Sequence, residues 1–192
     1  MNALTRPTTM AAEGRQRWRW TLDDIERMVA AGLFNDGDRA ELIGGELVPM
    51  PPKGNHHEHL RTELTFALTK LCPDYLRVAS EPQFNLAEDE YRQPDILVYE
   101  AGQRVHDVRG TLALLVIEIA DSSFDHDTGA KALAYAGFGV RDYWVIDAKT
   151  RRTRVFRGPT ASGFSAQTDV TAEAVMTPLL VPELAVSLSS IG

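Results

Sequence analysis

The stretch Leu112-Ala113-Leu114-Leu115-Val116-Ile117-Glu118-Ile119-Ala120 decides the fold. It is apolar at every position but one and reads as a strand buried on both faces, the kind found inside a sheet that helices cover. The exception, Glu118, carries the first chemical signal. An unpaired carboxylate costs several kcal/mol to bury, so its surroundings must supply a cation, a hydrogen-bonding network or a proton, and the strand itself leaves all three open.

Working outward, Pro94 to Tyr99 reads as a second strand, in which the two-residue period sets Asp95 on one face with Leu97 and Tyr99. Tyr75 to Leu86 reads as a third. Downstream, Gly129 to Gly137 predicts an alanine-rich helix, Asp142 to Asp147 a buried strand and Thr153 to Arg157 an Arg-rich strand, before a Pro-punctuated tail. Gly137-Phe138-Gly139 follows the helix and reads as its stop. Upstream, Asn55 with Glu58 three residues on predicts a helix start, and Leu60, Leu64, Ala67, Leu68 and Leu71 form its apolar stripe before Pro73. Earlier still, Glu41 to Ile43 and Glu46 to Met50 form a hairpin about Gly44-Gly45, and Thr21 with Asp24 makes the capping box of a first short helix. This order predicts an α/β fold, borderline with α+β: a mixed β-sheet flanked by helices, with an N-terminal helix and β-hairpin.

The chain has 192 residues, 44% hydrophobic and 24% charged, which predicts one globular domain over residues 18–192 after a flexible arm over 1–17. The single cysteine, Cys72, excludes an intrachain disulfide and a thiolate zinc cage. No apolar run is long enough for a membrane span, and Arg15, Arg17 and Arg19 alternate with other residues rather than preceding an apolar segment, so a cytoplasmic location is expected and a membrane partner is not. The net charge of −7 disfavours a generic nucleic-acid binder. Charge is unevenly spread, however: Lys149, Arg151, Arg152, Arg154 and Arg157 follow one another with no acid among them.

Two carboxylates near the ends of neighbouring strands, Asp95 and Glu118, make a site for a hard divalent cation such as Mg2+, with Mn2+ as a substitute and the Ile119 carbonyl as a further ligand. Such an ion polarises phosphodiesters and acidifies water, so phosphate-ester hydrolysis is the natural inference; a buried structural ion pair is the competing one. Lys131, in the following helix, either orients the water or forms an exposed helix pair with Asp127. His57 falls on the apolar stripe and reads as a residue at the site's edge or in the core. His56 and His59 point away from it. Glu46 on the hairpin, and more weakly Glu41, are either site acids or solvated strand acids.

Pro94-Asp95 followed by Glu118 in a hydrophobic strand resembles the two acidic motifs of the PD-(D/E)XK nuclease superfamily. More specifically, Glu41-Leu42-Ile43-Gly44-Gly45-Glu46-Leu47 with Gly54 and His57, then Ile117-Glu118-Ile119-Ala120-Asp121-Ser122-Ser123, then Lys131, Tyr135, Ala136, Gly137, Tyr143, Trp144, Val145 and Asp147, resemble the bacterial restriction-endonuclease family Uma2 over about residues 20 to 160. The resemblance implies a restriction-endonuclease-like fold and Mg2+-dependent hydrolysis of DNA, with Asp95 and Glu118 at the metal. One departure stands out: the superfamily lysine lies two residues after the strand acid, where this chain has Ala120. The resemblance implies that Lys131 replaces it; in the resulting nuclease reading His57 and Glu46 are accessory.

Two other readings compete with a DNA endonuclease: a noncatalytic DNA-binding or assembly module that keeps the fold, and an enzyme acting on a small phosphorylated metabolite. Arg152 and Arg154 are the candidate nucleic-acid contacts, against the alternative of an edge strand kept soluble by its charges. A homodimer is the expected candidate assembly.

Overall fold

The computed structural model describes residues 17–35 and 37–192, so all of the expected 1–17 arm except Arg17 lies outside the described residues. Two compact units are formed, one from residues up to 52 together with 84–93, the other from 53–83 together with 94–192.

In the first unit, helix α1 (Leu22–Ala30) opens with the expected capping box: Thr21 Oγ1 accepts from the Asp24 N–H, and the Asp24 carboxylate accepts from the Thr21 N–H. The hairpin forms as β1 (Ala40–Ile43) and β2 (Glu46–Pro49), with Gly44 and Gly45 both at positive φ in the two-residue turn. Strands β4 (Phe84–Ala87) and β5 (Glu90–Arg92) complete a four-stranded sheet in the order β2-β1-β5-β4. The stretch 88–93 reads as polar loop because Glu90 and Arg92 are charged, yet both are buried. Arg92 lies 2.6 Å from Glu90 and 3.4 Å from Glu41, and Glu90 also accepts from the Gly44 N–H. Pairing thus replaces hydropathy as the reason these residues lie inside.

The second unit is built on a six-stranded sheet ordered β10-β9-β8-β7-β6-β3. Its strands are β3 (Leu76–Ser80), β6 (Ile96–Glu100), β7 (Leu115–Ala120), β8 (Asp142–Asp147), β9 (Thr153–Thr160) and β10 (Gly163–Val170). Among the described residues, β7 and β8 run parallel and the other neighbours in this sheet run antiparallel. A parallel pair needs a crossover, supplied by a helical turn α3 (Phe124–His126), a π-helical turn over Asp127–Lys131 and helix α4 (Ala132–Gly137). Helix α2 (Asn55–Leu71) lays Leu60, Leu64 and Leu68 on Leu76, Ile96, Val98, Leu115, Ile117 and Ile119. The tail covers the same core with Met176, Val181, Leu184, Val186, Leu188 and Ile191. The crossover side is aromatic: Tyr135 is tilted against Tyr143 at a centroid separation of 4.9 Å, and Tyr143 stacks on Phe156 at 5.6 Å.

Four element readings are corrected. Residues 75–86 are not one strand: Glu81 adopts φ +50° and Pro82 offers no N–H, so the ladder stops at Ser80 and the chain resumes as β4 in the other sheet. The helix predicted from Gly129 begins earlier, at Phe124, and passes through the π turn. Gly54, not Asn55, is the N-cap of α2, and a Cβ there would collide with the Asp121 carboxylate. Strand β10 carries polar residues on both faces because it is a sheet edge, which left it without an apolar signal.

Candidate active site

Strands β6 and β7 pair with Ile96 opposite Ile117, and the same register carried one residue further sets Asp95 opposite Glu118. Asp95 lies just outside β6, and its side chain extends the ladder: Asp95 Oδ2 accepts the Ile119 N–H at 2.7 Å. In a strand the carbonyl of a residue projects to the same side as its N–H, so the Ile119 carbonyl also points toward the Asp95 end. Both carboxylates are buried, and each meets an ammonium. Lys53 Nζ lies 2.5 Å from Asp95 Oδ1, and Lys131 Nζ lies 3.1 Å from Glu118 Oε1.

His57 stands about one turn before Leu60 and two before Leu64 at the start of α2, and its Nε2 lies 3.0 Å from Asp95. Its Nδ1 is 3.4 Å from Glu58. The Asp95 carboxyl is pushed up by burial, but the His57 hydrogen bond and the charges of His57 and Lys53 outweigh this and hold it below the usual carboxylate range.

Lys131 is 7% exposed and Asp127 4%, so the exposed-pair reading is corrected. Lys131 Nζ lies 3.7 Å from Asp127 Oδ1 while it also contacts Glu118. The π turn that carries both residues is anchored at its start, where the Tyr143 hydroxyl donates to the Asp127 carbonyl at 2.9 Å and Ser123 Oγ donates to the Asp127 carboxylate at 2.5 Å. Burial pushes the Asp127 carboxyl above its ordinary value in spite of Lys131 and Ser123, and the charge of nearby Asp95 adds to the rise. One helical turn on, Tyr135 donates to Glu118 Oε1 at 2.9 Å.

Lys53 and Glu81 carry no signal in the sequence of a place near Asp95, whereas Asp127 is visible as the residue four before Lys131. Pro51 to Gly54 reads only as the end of the hairpin, and Glu81 lies inside what reads as a continuous strand. Tyr135, four residues after Lys131 on the same helical face, was findable from spacing. Glu46 and Glu41 belong to the first unit, where Glu46 pairs with Arg17 at 3.3 Å and Glu41 with Arg92. Arg152 and Arg154 lie beside and on β9, where Asp169 of β10 binds both at 2.7 Å. Arg151 is at φ +58° and donates to the Leu188 carbonyl at 2.8 Å, so it ties the tail to the turn before β9.

Among the described residues, no group of three or more His, Cys, Asp and Glu side chains forms a metal cage. The donors at hand are the carboxylate oxygens of Asp95 and Glu118 and the Ile119 carbonyl. That hard, all-oxygen and sparse set fits a cation that keeps part of its water shell and does not fit zinc. Two ammonium groups, those of Lys53 and Lys131, are seated against these carboxylates.

The family model described as "Putative restriction endonuclease", Uma2, matches residues 22–189. A crystal structure of a putative nuclease belonging to DUF820 from Anabaena variabilis superposes with a TM-score of 0.68 at 18% identity, over 88% of this chain and 95% of that one, so the fold is shared. No curated protein matches the chain. Among the described residues no helix is long and apolar enough to cross a membrane.

Proposed function

The chain belongs to the Uma2 family of putative restriction endonucleases, and we propose that it is a metal-dependent endonuclease that hydrolyses phosphodiester bonds of DNA. The observation that carries the proposal is the cross-strand pair Asp95 and Glu118, two buried carboxylates in register, each facing a lysine. Asp95, Glu118 and the Ile119 carbonyl would hold a divalent cation, Mg2+ or Mn2+, whose chemistry is to polarise the phosphate and acidify the attacking water.

The chain's own groups prepare this arrangement. The Ile119 N–H and His57 fix the orientation of Asp95, and the Tyr135 hydroxyl fixes that of Glu118. Lys131 brings a positive charge to the position where negative charge grows on the phosphoryl oxygens as water attacks phosphorus and the P–O bond to the leaving strand breaks. Because Lys131 reaches the site from the crossover helix, it takes the role that the alanine at position 120 leaves vacant. Arg152 and Arg154 are assigned to guiding the DNA backbone, with Asp169 holding their guanidinium groups until phosphates compete for them.

A noncatalytic DNA-binding or assembly module is the second reading, and Ala120 together with the net charge of −7 favours it. The test is cleavage of supercoiled, linear and branched DNA with Mg2+ or Mn2+ by wild type, Asp95→Asn and Glu118→Gln. Cleavage by wild type and a loss of at least about a thousandfold in each variant are expected. Equal cleavage by the variants would sink the site, and no cleavage of any substrate would favour the module.

A further inference from the structure

Lys53 presents one ammonium to two carboxylates that come from different segments, at 2.5 Å from Asp95 Oδ1 and 2.6 Å from Glu81 Oε1. Asp95 is buried, and the Lys53 and Glu81 side chains are partly so, at 12% and 24% exposure. Glu81 is placed there at a conformational cost: it is a non-glycine residue at φ +50°, and its N–H donates to the Asp95 carbonyl at 3.0 Å. Arg61 Nη1 contacts the other oxygen of Glu81 at 3.2 Å, so Glu81 stays compensated however Lys53 moves.

Asp95 therefore has two claimants. A divalent cation bound to this carboxylate would face the Lys53 ammonium at close range in a water-poor setting, where like charges repel strongly. Both cannot occupy Asp95 without a large penalty, and Glu81 offers the lysine a second seat already within hydrogen-bond distance. We infer that Lys53 is a built-in occupant of the cation seat on Asp95, displaced by the incoming divalent ion onto Glu81. The lysine neutralises a buried carboxylate that would otherwise be left with only His57 and the Ile119 N–H. After displacement its ammonium remains at the edge of the site, within reach of a phosphate. This inference rests on the nuclease reading, because it takes Asp95 as a ligand of the ion.

The distinguishing consequence is that removing Lys53 strengthens metal binding, whereas loss of a merely structural lysine would leave it unchanged or weaken it. Calorimetric titration of the full chain with Mn2+ in the absence of DNA reads this directly. Lys53→Met and Lys53→Gln are each expected to bind Mn2+ about tenfold more tightly than wild type. The glutamine variant keeps a hydrogen-bond donor for Asp95 should the methionine variant fail to fold. Glu81→Gln is expected to weaken Mn2+ binding in the wild-type background and to have a smaller effect once Lys53 is methionine, because the second seat then has no occupant. Unchanged or weaker binding in both Lys53 variants, with binding lost in Asp95→Asn, overturns the role of Lys53 and leaves the metal site standing. No Mn2+ binding by wild type or by either Lys53 variant overturns both.

Discussion

Lys131 and Glu118 are joined by a 3.1 Å ion pair that spans the crossover from β7 to its helix. Lys131 closes the π turn over Asp127–Lys131, whose first residue is tied to Tyr143, and from there its ammonium also lies 3.7 Å from Asp127. A lysine absent from the strand at position 120 is thereby brought to the strand acid from another element.

Replacing Lys131 by methionine is expected to abolish metal-dependent cleavage, by about a thousandfold or more. It is also expected to destabilise the fold by about 3 kcal/mol, because two buried carboxylates lose their shared cation. The double variant Lys131→Met with Asp127→Asn should recover part of that stability and none of the activity. Chemical denaturation and single-turnover cleavage at equal folded concentration check both statements, and an inactive wild type or an unaltered variant would contradict them.

Tyr135→Phe removes the hydroxyl that donates to Glu118 and keeps the ring packed against Tyr143. A stability loss of about 1 kcal/mol is expected. Activity or Mn2+ affinity should fall roughly ten- to a hundredfold, the usual cost of losing a partner that orients a metal-binding side chain. Equal Mn2+ isotherms and rates for the two proteins would show that the hydroxyl does not hold Glu118 in place.

Asp95 and Asp127 should give opposite pH dependences of stability. The Asp95 value is lowered on folding, so its contribution is fully present above the unfolded carboxylate value of about 3.9 and is lost as pH falls through the folded value. The Asp127 value is raised, so its contribution is present below that unfolded value and is lost as pH rises through the folded one. Unfolding free energies from pH 3 to 8 should therefore show Asp95→Asn losing most relative to wild type near neutrality, and Asp127→Asn comparing best there. Parallel curves for the two variants would contradict the assignment.

If Arg152 and Arg154 guide DNA, neutralising both should lower affinity and flatten its salt dependence. Asp169→Asn should do the reverse, because that carboxylate holds both guanidinium groups at 2.7 Å. Fluorescence anisotropy with a duplex over a range of salt concentrations separates the cases. An unchanged slope in both variants would leave the arginines as solubilising charges on an edge pair.

Sequence alone determined the elements whose signal is local. The apolar run around Glu118 had to be a central strand, the Leu60, Leu64 and Leu68 stripe a helix on that strand's sheet, and Asp142–Asp147 a second buried strand, because periodicity and apolar length report burial directly. The misfit of Glu118 within its strand, and Asp95 at the start of the neighbouring one, marked two carboxylates that the β6–β7 register sets opposite each other. What tertiary structure decided is every feature in which charge compensates charge. Strand β5 is buried because Glu90 and Arg92 pair, and Glu81 breaks a predicted strand and turns toward Asp95. Lys53 reaches Asp95 across a long sequence separation, and Asp127 and Lys131 are buried with Glu118 rather than exposed. An ion pair between distant segments leaves no periodic trace in either one. Its energy also depends on the distance and dielectric that only folding establishes.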